Sequence, residues 1–70
     1  MKYAIEHLNA KREIIRVRRG FFTADTAIRR APFVRRYGTD VPNPDRWRVV
    51  RYEGTLDSPF VAEVIKESDE

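Results

Sequence analysis

The chain carries one histidine, His7, no cysteine and only two serines, Ser58 and Ser68, and this inventory limits the chemistry open to it. Nucleophilic catalysis needs a hydroxyl or thiol held beside a base. No thiol exists here, and no spacing joins His7 to either serine. His7 instead continues a row with Tyr3 and Ile5 and reads as a half-buried strand histidine. Asp40 and Asp45 flank a proline loop, where they read as turn and cap residues rather than as an acid–base pair. One histidine with scattered carboxylates supplies a metal site poorly. The three glycines stand alone at Gly20, Gly38 and Gly54, so no glycine-rich loop can cradle a phosphate. The sequence therefore predicts a protein that is not an enzyme, with no cofactor and no metal.

Arginine is the residue type in surplus. Of the 14 basic residues 11 are arginine, the side chain suited to bidentate contact with phosphate or carboxylate and to stacking on rings. Residues 1–51 hold 13 Lys/Arg against 5 Asp/Glu, a net of +8, while residues 52–70 hold 1 against 6, a net of −5. Arg29/Arg30 and Arg35/Arg36 are doublets. Arg16, Arg18, Arg46 and Arg48 fall in alternating segments, and RWRVVRY at 46–52 adds Trp47 and Tyr52. Together these residues suggest a basic surface for phosphate contacts, with Tyr52 or Tyr37 offering a ring to an unstacked base. Neither a helix-turn-helix pattern nor the aromatic signature of an RNA-recognition sheet accompanies them. An Arg- and Tyr-rich module with an acidic C-terminal stretch equally suits a protein partner, through hot-spot residues or through edge strands. A solvated arginine face, written by GC-rich codons, is the plain alternative to both.

These side chains have to be positioned by a small fold. Seventy residues make one domain that buries about 60% of its unfolded surface. Hydrophobic residues at 41% against 36% charged allow one thin core under a charged shell. Lys2–Asn9 alternates with period two, Tyr3, Ile5 and His7 against Ala4, Glu6 and Leu8, and reads as a strand. A polar break at 9–12 leads to a second strand at Glu13–Arg18, with Ile15 and Val17 expected on its inner side. Thr23 caps a helix in which Asp25 favours the first turn and Phe22 would staple onto Ala27. Ala24, Ala27, Ile28 and Ala31 form its buried stripe. Pro32 ends or kinks this helix. Phe33–Tyr37 reads as one more helical turn, stopped by Gly38, and GTDVPNPD at 38–45 as a loop. Arg46–Glu53 and Phe60–Lys66 read as strands around a turn at Gly54–Pro59.

The expected fold is α+β: an antiparallel four-stranded sheet in ββαββ order with one helix packed on one face. Residues 1–66 form the single domain and 67–70 a disordered acidic tail. With Trp47 and Val49 turned toward the helix beside Ile15 and Val17, the open face would carry Arg16, Arg18, Arg46, Arg48 and Tyr52. A slip of one residue would invert these assignments.

A hairpin, a helix opening near FFTADTAIRRA and a second hairpin built on RWRVVRYE and PFVAEVIKE resemble the layout of small phage-encoded proteins, among them some anti-CRISPR proteins. Pro32 and the GTDVPNPD loop depart from that layout. The resemblance implies a non-enzymatic inhibitor that docks on a host CRISPR nucleoprotein and blocks recognition of target DNA.

The sequence thus predicts a cytoplasmic binding protein, placed in the bacterial host cytoplasm if phage-encoded. Its N-terminal residues have no apolar run of signal-peptide type, and no stretch approaches the roughly 20 apolar residues that span a membrane. The expected partner is a protein or nucleoprotein complex, with direct DNA or RNA contact as the alternative, and the chain acts as monomer or homodimer. The expected contact residues are Arg16, Arg18, Arg29, Arg30, Arg35, Arg36, Arg46, Arg48 and Tyr52.

Overall fold

Alternating apolar side chains at Tyr3, Ile5 and His7 need a partner strand with matching alternation, and RWRVV provides it. In the computed structural model, which describes residues 2–42, 45–55 and 57–68, β1 (Tyr3–Leu8) pairs antiparallel with β5 (Arg46–Gly54). The register sets Ile5 opposite Val49, His7 opposite Trp47 and Glu6 opposite Arg48. β2 (Ile14–Phe21) pairs with the outer side of β1, and β6 (Pro59–Glu67) with the outer side of β5. The sheet order is β2-β1-β5-β6, antiparallel throughout.

α1 (Ala24–Arg30) crosses one face. Thr23 caps it as its spacing predicts, accepting a hydrogen bond from the Thr26 amide at 3.3 Å. The alanine stripe also holds: Ala27 and Ala31 are fully buried against Ile5 and Val49, with Tyr3, Phe21, Ile28, Trp47 and Ile65 around them. Small residues let the helix lie close to the sheet, and burying Ile5 and Val49 contributes roughly 1.5–3 kcal/mol each. The predicted staple does not form, because Phe22 is 79% exposed. Pro32 ends the helix rather than kinking it: Ala31 is the C-cap and the chain beyond is extended.

Among the described residues the fold is thus α+β, with a four-stranded antiparallel sheet and one helix, but it exceeds the expected ββαββ order. The segment read as a further helical turn and a loop is a separate β-hairpin, β3 (Phe33–Arg36) and β4 (Thr39–Pro42). Tyr37 and Gly38 make its two-residue turn, with φ of 52° and 81°. Positive φ at both positions gives the twist that two-residue hairpins require. Asn or Asp normally marks the first of them, and a tyrosine there hides the turn from sequence reading. Asn43 and Pro44, from the same expected loop, lie outside the described residues.

β2 supplies the second correction. Two bulges, at Gly20 and Ile15, insert extra residues relative to β1. Gly20 has a φ of 99°, which suits such a bulge. With these insertions Arg16 falls opposite His7 and Arg18 opposite Ile5, on the helix side, while Val17 falls opposite Glu6 on the other face. Ile15 and Val17 are exposed, not part of the core. At the C-terminus, β6 reaches Glu67 and Ser68 exchanges two hydrogen bonds with the backbone of Trp47, so the expected tail is ordered at both residues. Asp69 and Glu70 lie outside the described residues.

Candidate binding surface

The sheet face away from the helix closes on itself. Ala4 and Val50 are fully buried there, and Glu6 is 3% exposed. Glu6 accepts from the Arg48 Nε, in a short ion pair, and from the Tyr52 hydroxyl at 3.3 Å. The Arg19 guanidinium stacks over the Tyr52 ring, 5.3 Å from its centroid. Arg19, Tyr52, Glu6 and Arg48 therefore run as one linked set across β2, β5 and β1. Arg48 is held by a buried carboxylate and Tyr52 by two partners, so neither is a loose side chain awaiting a ligand. Arg46 lies on this face by register, opposite Leu8, and is itself engaged. Farther along β5, Arg51 pairs with Glu53 at 2.5 Å and Glu63 at 3.4 Å. Glu6 thus neutralises Arg48, while Glu53 and Glu63 share Arg51.

The arginines expected on one open platform are consequently divided. Arg16 and Arg18 stand on the helix side, because the β2 bulge at Ile15 sets them there. Arg18 lies over the Phe21 ring at 5.7 Å. Arg30 bridges α1 to the hairpin through Asp40 at 3.3 Å. Arg35 donates to the Gly38 carbonyl at 3.2 Å and so braces the turn. The guanidinium groups of Arg16, Arg29 and Arg36 form no ion pair or hydrogen bond among the described residues.

What the tertiary structure assembles instead is a cationic region around the hairpin. Val34 anchors β3 by burial, while Arg35, Arg36, Tyr37 and Gly38 project at the tip. Tyr37 is fully exposed. Arg16 and Arg36, from β2 and β3, line one cavity of about 230 Å³ together with His7 and Asp45. His7 is buried at 1% exposure, more deeply than its sequence row suggests, and both ring nitrogens lack hydrogen-bond partners among the described residues. Its pKa is lowered, first by loss of hydration, then by the charges of Arg16 and Arg18; the Ala31 carbonyl and Asp45 oppose the shift. The Ala31 oxygen lies outside hydrogen-bond geometry for either nitrogen.

A larger cleft of about 610 Å³ opens at the other end of the sheet, where β2 and β5 run past the start of β1. Lys2, Tyr3, Arg19, Gly20, Tyr52 and Pro59 line it. Sequence reading missed Arg19 and the buried role of Glu6. The alternation of Ala4, Glu6 and Leu8 already placed Glu6 among apolar neighbours, a signal that it would take a partner. No group of three or more potential metal ligands occurs among the described residues. No helix there is long and apolar enough to cross a membrane. Compared with protein-family models, curated proteins and solved structures, the chain matches none.

Proposed function

We propose that the chain is a non-catalytic binding protein that docks on a nucleoprotein complex through its hairpin tip and occludes recognition of nucleic acid. Tyr37 carries this reading. A bulky aromatic residue occupies a left-handed turn position, fully exposed, where Asn or Gly would cost less. Burial does not compensate for it, and strain kept at an exposed position points to use by a partner. Arg35 and Arg36 beside it, with Arg16, Arg18 and Arg29 on the same side of the sheet, supply the charge that meets phosphate or carboxylate.

Inhibition of a CRISPR surveillance complex is the specific form implied by the resemblance to small phage-encoded inhibitors, and it places the protein in the bacterial cytoplasm. Direct binding of DNA or RNA is the second reading, favoured by the pairing of unengaged guanidinium groups with an exposed ring.

The test is capture of a partner from bacterial lysate, with and without nuclease, by the wild type and by Tyr37→Ser/Arg35→Glu. The double variant should lose the captured complex while keeping its fold. Lys2→Glu, with the same charge change at the far end of the sheet, should retain it. Equal capture by the tip variant would remove the hairpin from the interface. Loss of all capture on nuclease treatment, with direct binding to oligonucleotides, would decide for the second reading.

A further inference from the structure

We propose that the cavity between β1, β2 and β3 is a binding site for a tetrahedral oxyanion, either a free phosphate-type anion or the terminal phosphate of a nucleic-acid strand. Three independent features converge there. The cavity of about 230 Å³ is lined by His7, Ile15, Arg16, Val34, Arg36 and Asp45, so four of six lining residues carry polar or charged groups. At roughly 30 Å³ per water this volume holds an oxyanion with several waters around it.

The second feature is the unsatisfied imidazole. A ring buried at 1% exposure with neither nitrogen bonded among the described residues carries an unmet hydrogen-bonding demand. Such a group is normally satisfied by protein or by a bound species. The third feature is the pair Arg16 and Arg36, whose guanidinium groups make no ion pair or hydrogen bond among the described residues although both border the cavity. They come from β2 and β3, so an anion held between them would tie the hairpin to the sheet. By formal charge, two arginines against one aspartate, the lining carries one net positive charge, rising by one when the ring takes a proton. Two guanidinium forks and an imidazole N–H match the acceptor-only oxygens of a phosphate or sulfate group. A divalent cation would meet two guanidinium charges and is disfavoured.

The site shares Arg16 and Arg36 with the proposed docking surface but uses neither Tyr37 nor Arg35, so it stands whether or not the tip is an interface. Its test uses the chain's single histidine as the reporter: the imidazole C2 proton is followed by NMR while sodium sulfate is added, against sodium chloride at equal ionic strength. Sulfate keeps its charge across this pH range, so a pH effect reports on the protein. Sulfate should shift the His7 signal saturably and raise its titration midpoint. Arg18 and Asp45, which also bear on the ring, are unchanged between the two salts, so they do not produce the difference. Arg16→Gln or Arg36→Gln should weaken sulfate binding by roughly tenfold or more, the loss expected for one charge-assisted contact. The same experiment with an oligonucleotide bearing a 5′-phosphate and with its 5′-hydroxyl counterpart separates the sources. A response to sulfate assigns the site to free anions, and a response to the phosphorylated strand alone assigns it to strand ends. If chloride matches sulfate and neither strand moves the signal, or if both variants respond as the wild type does, the proposal is overturned. The wild-type titration decides this even if a variant fails to fold.

Discussion

A buried imidazole without a hydrogen bond tolerates the neutral state and resists protonation, and His7 has the lowered pKa that follows. Folding stability must then depend on pH with a definite sign. Above the ordinary histidine value of 6.5 the ring is neutral in the folded and unfolded chains, and the contribution of the neutral ring is complete. As pH falls through 6.5 the unfolded chain takes the proton first, so stability declines until the folded pKa is passed. Urea unfolding in buffer free of sulfate and phosphate should show a lower midpoint at pH 5.5 than at pH 8. His7→Leu should flatten that difference, and an unchanged slope in the variant would assign the effect elsewhere. Glu6 illustrates the opposite solution to burial: it is deep and supplied with Arg48 and Tyr52. Removing a partner from such a pair leaves an uncompensated buried charge. Arg48, expected as a contact residue, therefore has a structural duty.

Among the elements, the helix was legible because its signals are local: Thr23, the alanine stripe and Pro32 all act within one or two turns. β1 and β5 were legible because Ile5, Val49 and Trp47 keep strict alternation. β2 was legible as a strand but its facing was not, since the residue inserted at Ile15 reverses the side that Arg16 and Arg18 face and the one at Gly20 restores it before Phe21, and a bulge is a property of pairing rather than of one strand. The β3–β4 hairpin was hidden by Tyr37 at its turn. Glycine positions test these turns directly. Gly54 has a φ of 99°, and a Cβ there would come within 2.5 Å of the Ser58 carbonyl oxygen. Gly38 has a φ of 81° but open space around it. Gly38→Ala carries only backbone strain of about 1 kcal/mol, whereas Gly54→Ala adds a clash with backbone and should cost about 2 kcal/mol or more. In a domain of this size each kcal/mol lowers Tm by about 4–8 °C, so thermal unfolding separates the two variants. Equal losses would mean that the Gly54 turn yields without cost.

For the whole molecule, sheet order turns a charge asymmetry along the chain into one across space. β2 and β6 form the opposite edges. β2 carries Arg16, Arg18 and Arg19 with no acid, while β6 carries Glu63 and Glu67 with one lysine. An anionic partner is steered toward the β2 and hairpin side and away from β6. If nucleic acid is bound directly there, three phosphate contacts would give a slope of log affinity against log salt near −2 to −3. Fluorescence anisotropy with short oligonucleotides across a salt series measures it. A flat response would retire direct binding and leave a protein surface as the target.

The residue pattern alone determined a small α+β domain with one capped helix, a sheet built around Ile5, Val49 and Trp47, and a surplus of arginine, because composition, alternation and capping are encoded within short windows. Only the tertiary structure decided which arginines were consumed by acids and which were left to gather at His7 and the hairpin. That outcome depends on strand register and on the bulge at Ile15, and register is set by contacts between residues distant in the chain, where an inserted residue sends the side chains that follow to the other face.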